Sequence, residues 1–160
     1  MEKVKILFVC HGNICRSPMA EFVMRHKLSV AGIEGFEVAS AATSIEEIGN
    51  PVYPPARRML NSHGIDCSGK HARQMTARDY DYYDHIVLMD GNNLRNLRWI
   101  LPRDTYERES TQPHKVSLLM DWTGISRDVE DPWYTGDFQA TWDDVNAGCD
   151  AMIEKLTAQS

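Results

Sequence analysis

Eight consecutive residues, Cys10-His11-Gly12-Asn13-Ile14-Cys15-Arg16-Ser17, combine a thiol, a flexible turn, a guanidinium and a hydroxyl, the groups needed to grip and attack a phosphate. A loop that closes around a phosphate must turn its amides inward. Gly12 and Asn13 are the residue types that tolerate the positive φ of such turns. Arg16 offers a planar fork matched to two phosphate oxygens. A helix opening at Ser17-Pro18, with serine as N-cap and proline as first helical residue, adds free amides and a partial positive charge. Such a field favours the thiolate of Cys10, the nucleophilic form, and aims it at the phosphorus held by the loop. Ser17 can donate to the sulfur as it leaves. C-x5-R alone is a weak motif; the strand before it, the Gly-Asn turn and the Ser-Pro helix start give it weight.

A thiolate attacking an aryl phosphate needs a proton for the leaving phenolate. A base must then activate the water that cleaves the cysteinyl phosphate, and one carboxyl can do both in turn. The candidates are Asp90, Asp121, Asp128, Asp131 and Asp137. Asp131 precedes Pro132, which biases it to extended backbone, and Trp133 and Tyr134 follow where they could wall an aromatic substrate. On the residues alone, a plain Asp-Pro turn remains an open reading.

These groups need a scaffold that gathers them. Val4 to Val9 is a short apolar run that reads as a central parallel strand. Residues 18–31 carry an apolar stripe ended by Gly32. Further strands are expected at 36–40, 85–89 and 116–120, with a fifth short candidate at 71–74. Helices are expected at 56–63, over one or two turns at 76–83, at 91–100 with Asp90 as its cap and Pro102 as its stop, and at 138–157, with a long loop at 121–137. Strand and helix alternate, which predicts a doubly wound, three-layer α/β sandwich with right-handed crossovers. Ligands in such sheets bind beyond the carboxyl ends of the strands. Residues 10–17, Ser40, Asp90 and the loop after Met120 all lie at such ends.

Composition narrows the function classes. The length of 160 residues suits one domain over 1–160. A net charge of −6 argues against general nucleic-acid binding, which needs a basic face. No apolar run has the length of a membrane span, and the N-terminal residues lack a secretory h-region. The expected location is therefore cytoplasmic, with the four cysteines (Cys10, Cys15, Cys67, Cys149) reduced. No paired C-x2-C occurs, so neither a metal site nor a cofactor is expected.

The run C-x-G-N-x-C-R-S-P at 10–18 resembles the signature of the low-molecular-weight protein tyrosine phosphatases. The likeness extends to "SAATS" at 40–44, "NSHGI" at 61–65, "VLMDGNNL" at 87–94 and "DPWYTG" at 131–136. The resemblance implies a four-stranded parallel sheet in the order 2-1-3-4, with the 71–74 segment dropped from it. It implies hydrolysis of phosphotyrosine through a cysteinyl-phosphate, carried by Cys10, Arg16 and Asp131. The phosphate loop would comprise His11, Gly12, Asn13, Ile14, Cys15 and Ser17. Asn13, Ser17, Ser40 and His63 would hold that loop in shape, and Glu46, Ile48, Trp133 and Tyr134 would line the cleft. The implied partners are phosphotyrosine-containing proteins or peptides, with inorganic phosphate or other oxyanions in the loop. Cys15, five residues from Cys10, is a candidate disulfide partner that would shelter the nucleophile from irreversible oxidation.

The chain departs from the family pattern at the rim. Glu46 falls where many members carry an aromatic residue, and Tyr53-Pro54-Pro55-Ala56 stands where Asp-Pro-Arg-Ala is common. Three rivals share parts of this pattern. An arsenate reductase needs resolving cysteines, for which only the distant Cys67 and Cys149 remain. A protein-arginine phosphatase favours a polar residue where Ile14 stands. A phosphocysteine carrier needs neither Arg16 nor an acid loop.

Overall fold

The computed structural model describes residues 3–158. Met1 and Glu2, part of the N-terminal stretch read as lacking a secretory h-region, lie outside the described residues. The first strand, β1 (Val4–Cys10), is buried from Ile6 to Cys10. It is apolar on both faces because it is central: it pairs in parallel with β2 (Phe36–Ala42) on one side and β3 (His85–Leu88) on the other. β4 (Val116–Leu118) completes a four-stranded sheet of order β2-β1-β3-β4. Alternate residues of β1 feed two cores. Ile6, Phe8 and Cys10 face α1 (Arg16–Val30) and α7 (Phe138–Thr157). Leu7 and Val9 join Ile86, Leu88, Tyr80 and Leu97 on the opposite face.

This order puts the site in place. The chain leaves β1 for β2 on one side and later returns to β3 on the other. The strand order therefore reverses beside β1, and a crevice opens at its carboxyl end. The loop Cys10–Arg16 fills that point, and β2, β3 and the segment after β4 all end beside it.

Several elements differ from the sequence expectation. Residues 71–74 make isolated bridges, Pro51 with His71 and Ala42 with Gln74, rather than a strand. α1 starts at Arg16, so Ser17 is its second residue and not its N-cap; Cys15 takes the cap position with no side-chain cap bond. The Ser17 hydroxyl is engaged with Cys10 and Asn13 instead. Pro18 still lies in the first turn, where a missing N–H costs no helix bond. α2 (Pro54–Ser62) opens two residues early on its prolines, and α3 (Ala77–Tyr82) matches the expected short helix. The helix expected at 91–100 is α4 (Gly91–Asn96) followed by a 3₁₀ turn at 97–99. Pro102 then caps a further helix, α5 (Arg103–Thr111), which carries too few apolar residues for periodicity to reveal. The loop 121–137 contains the short α6 (Pro132–Thr135) capped by Asp131.

Candidate active site

The phosphate loop is held open from outside. The carbonyls of Cys10, His11 and Ile14 accept from the amides of Thr43, Ser44 and Tyr53 at 2.9, 3.1 and 2.9 Å. Pulling carbonyls outward rotates the peptide planes so that amides turn inward, as an anion nest requires. Asn13 sits at φ 60°, the left-handed region expected of it. Gly12 does not. Its φ is not positive, and its missing side chain matters for space: a Cβ there would stand 3.3 Å from Glu47 Cγ.

Two donors converge on the sulfur. The Asn13 amide lies 3.3 Å from Cys10 Sγ and the Ser17 hydroxyl 3.0 Å. The neighbouring bonds narrow the choices for the Ser17 proton. Asn13 Oδ1 accepts from the Arg73 amide at 3.2 Å, which can only donate, so Asn13 Nδ2 faces the two serines. It donates to Ser17 Oγ at 2.8 Å and to Ser40 Oγ at 2.9 Å. Ser40 in turn donates to the buried Glu21 carboxylate at 2.6 Å. Ser17 Oγ, which accepts from Asn13, can turn its one proton to the Cys10 sulfur at 3.0 Å or to the Ala41 carbonyl at 3.4 Å, the sulfur being the nearer. The Asn13 amide and the Ser17 hydroxyl are the two groups of this network that lie against Sγ.

Glu21 was missed by the sequence reading. It stands four residues after Ser17 on α1, on the same helical face, and that spacing was the available signal. Arg25 at 2.7 Å and Lys70 at 3.2 Å neutralise it. Burial lowers the Lys70 ammonium against the opposing pull of Glu21.

Arg16 is 2% exposed and clamped. Its Nη1 donates to Asp90 Oδ2 at 2.6 Å and to the Val129 carbonyl at 2.9 Å, while Nη2 reaches Asp131 Oδ2 at 3.4 Å. Burial alone would disfavour the charged guanidinium. The Cys10 sulfur, Asp90 and Asp131 outweigh it and push its value above the ordinary. Asp90 uses its other oxygen to cap α4, accepting from Asn93 N at 2.8 Å, so the cap expected from sequence also aims the arginine. Asp131 Oδ1 accepts from Trp133 N at 3.0 Å, which holds the carboxyl at the pocket mouth.

A pocket of about 140 Å³ joins these parts, lined by Cys10, Arg16, Ile14, Asp131, Trp133 and Tyr134 with the His11–Gly12 turn and Glu46 and Glu47 at its rim. Trp133 and Tyr134 are 52% and 84% exposed and stand as walls. Glu46 contacts His11 Nε2. Two expected residues lie elsewhere. The His63 ring stacks on Trp142 at 3.9 Å, on the α2–α7 side, and the loop is braced by Arg73 and Glu21 in its place. Ile48 is more than half exposed, and Glu47 takes its place on the lining. Cys15 is buried against the loop, and burial followed by the charge of Cys10 raises its thiol well above the ordinary value. Among the described residues no group of three or more histidines, cysteines or carboxylates could hold a metal.

The arrangement can bind a phosphate dianion, attack it with sulfur and supply a proton from one carboxyl. Residues 5–160 match the family model described as "Low molecular weight phosphotyrosine protein phosphatase". The low molecular weight protein-tyrosine-phosphatase YfkJ of Bacillus subtilis is 35% identical over 156 residues, covering 96% of both chains. The crystal structure of YfkJ superposes with a TM-score of 0.90 at 32% identity over 100% of this chain and 98% of that one. A Drosophila arginine phosphatase structure gives a TM-score of 0.82 at 27% identity, covering 95% and 97%.

Proposed function

The chain belongs to the low molecular weight phosphotyrosine protein phosphatase family, and on that premise we propose that it hydrolyses phosphotyrosine in proteins or peptides, with Cys10 as nucleophile and residues 1–160 acting as one catalytic domain. The phosphate lies in the loop of residues 10–16, its oxygens on the inward amides and the Arg16 guanidinium. The Cys10 thiolate attacks phosphorus, an S–P bond forms and the P–O bond to the tyrosine breaks. Asp131 passes its proton to the departing phenolate. Asp131, now a carboxylate, takes a proton from water as that water attacks the cysteinyl phosphate. The S–P bond breaks, inorganic phosphate leaves, and Ser17 donates to the returning thiolate.

The observation that carries this reading is the convergence of the Asn13 amide, the Ser17 hydroxyl, Arg16 and Asp131 around one sulfur. Ile14, Trp133 and Tyr134 give the pocket an apolar wall suited to a phenyl ring, which favours a tyrosine over an arginine substrate. Cys67 and Cys149 are both buried and neither lines the pocket, which disfavours the disulfide relay of an arsenate reductase. The presence of Arg16 and Asp131 disfavours a mere phosphocysteine carrier. Inorganic phosphate and similar oxyanions are expected to compete in the loop. A thiol nucleophile needs a reducing compartment such as the cytoplasm, and among the described residues no helix is long and apolar enough to cross a membrane.

The test is turnover of an aryl phosphate by wild type, Cys10→Ser and Asp131→Asn. Asparagine keeps the cap on α6 and removes the proton. Cys10→Ser should show no detectable turnover. Asp131→Asn should fall roughly 10²–10⁴-fold, less when the leaving group is a nitrophenolate. Full activity in Cys10→Ser, or an equal loss for good and poor leaving groups in Asp131→Asn, would refute these roles.

A further inference from the structure

Beside the phosphate pocket runs a second groove of about 480 Å³, continuous with it through Ile14, Glu47 and Trp133, which line both. One wall is aromatic: Tyr53 and Trp133 pack with ring centroids 4.8 Å apart. The opposite edge is the exposed face of α2, which buries Ala56 and Leu60 and turns Arg57 and Arg58 toward the groove.

The charges of this groove are unequally satisfied. Glu47 accepts from Asn50 Nδ2 at 2.6 Å, and its neighbour Glu46 contacts His11. Among the described residues Arg57 and Arg58 form neither an ion pair nor a side-chain hydrogen bond; Arg57 feels the charge of Asp66 at a distance. Glu47 is the one acid lining the groove and its donor is a neutral amide, so against it the two unpaired guanidiniums leave the groove with a net positive charge to meet a ligand. The groove gives the polypeptide next to that tyrosine a path out of the pocket, and the cleft on the other side, lined by Asp90, Asp128, Glu130 and Asp131, is acidic and disfavours an acidic flank.

We infer that this groove is a subsite for the segment flanking the phosphotyrosine, and that Arg57 and Arg58 select a segment carrying aspartate, glutamate or a second phosphate. The inference rests on the tyrosine-phosphatase reading and adds a substrate preference to it. Tyr53 and Trp133 hold the flanking chain against an apolar wall, and the two arginines read its charge. Both arginines are exposed, so each supplies a modest, salt-sensitive attraction. Most of it should appear in KM, because the arginines stand away from the reacting atoms.

The experiment compares phosphotyrosine peptides with acidic, neutral and basic flanks, beside a bare aryl phosphate, in wild type and in the double variant Arg57→Ala/Arg58→Ala. Wild type should prefer the acidic over the neutral peptide at low salt, and the double variant should lose roughly 3–10-fold of that ratio, mainly through KM. Arg57→Lys/Arg58→Lys should restore most of it. A ratio unchanged by the double variant, or an equal loss on all three peptides, overturns the inference. Turnover of the bare aryl phosphate reports separately on the catalytic reading. If that fails, anisotropy of the labelled peptides on Cys10→Ser protein, with and without the two alanines, still decides whether the groove reads acidic flanks.

Discussion

Asp90 has two oxygens and two different donors, and replacing it by asparagine cannot satisfy both. Oδ1 takes the Asn93 amide at 2.8 Å and closes the first turn of α4; Oδ2 takes Arg16 Nη1 at 2.6 Å. An asparagine has one oxygen. If that oxygen keeps the cap, its NH₂ meets the guanidinium, donor against donor. If it turns to the arginine, the NH₂ meets the Asn93 amide. Breaking a buried ion pair by removing one partner costs about 3–5 kcal/mol, and losing a cap about 1. The Asp90 side chain is 14% exposed, and Arg16 keeps the Val129 carbonyl and a 3.4 Å approach to Asp131. We therefore expect Asp90→Asn to lose about 2–4 kcal/mol, a fall in Tm of roughly 4–16 °C for a chain of this size. Asp90→Ser, which keeps a cap, should retain part of that stability yet aim Arg16 no better. In both, an arginine free to shift by about 1 Å should lower kcat/KM on an aryl phosphate by roughly 10²-fold, with weaker competition by inorganic phosphate. Thermal unfolding, steady-state kinetics and phosphate inhibition measure the three effects. Wild-type kcat/KM and phosphate inhibition in Asp90→Asn would show that the clamp does not position the arginine.

Glu21→Gln should weaken catalysis from a distance, because its amide cannot both accept from Ser40 and face Arg25 and Lys70; a fall of about 10-fold in kcat/KM with about 1–3 kcal/mol of lost stability is expected, and unchanged kinetics would disconnect Glu21 from Cys10. Glu109 is buried, and although burial opposes its charge, bonds from the amides of His114, Val116 and Lys115 and from the Tyr80 hydroxyl hold its carboxyl below the usual range. A carboxylate lowered in the folded state contributes stability above its unfolded value of about 4.3, lost as pH falls through the folded value. The acid limb of wild-type stability should thus be steeper than that of Glu109→Gln, as denaturation at pH 3–7 will measure. Gly148→Ala should destabilise α7 by about 1–3 kcal/mol despite alanine's helix preference, since the added Cβ would sit 2.4 Å from Cγ of the fully buried Leu119; a stabilised variant would mean that this core yields.

The sequence by itself determined the chemistry. Cys10, Gly12, Asn13, Arg16 and Ser17 are local to one strand–loop–helix unit, and a β1 apolar on both faces can only be central, so the nature of the loop and its position at a strand end were legible. Asp131 was one of five candidate carboxyls: Asp-Pro-Trp-Tyr gave it a backbone bias and a wall, and the family resemblance singled it out. What the tertiary structure decided is everything that depends on which distant segments end beside that loop. His63 looked like a brace and instead stacks on Trp142, while the brace comes from Glu21, Lys70 and the main chain of Arg73. Asp90 read as a helix cap and also clamps Arg16, because β3 lies beside β1 and delivers its carboxyl end to the same crevice. That the α2 arginines lie along a groove sharing Ile14, Glu47 and Trp133 with the Cys10 pocket is visible only in the fold. Residue type and local spacing set what a group can do, and both are written in the chain. Which partner completes it depends on strand order and helix placement, which arise from packing between residues up to 129 positions apart.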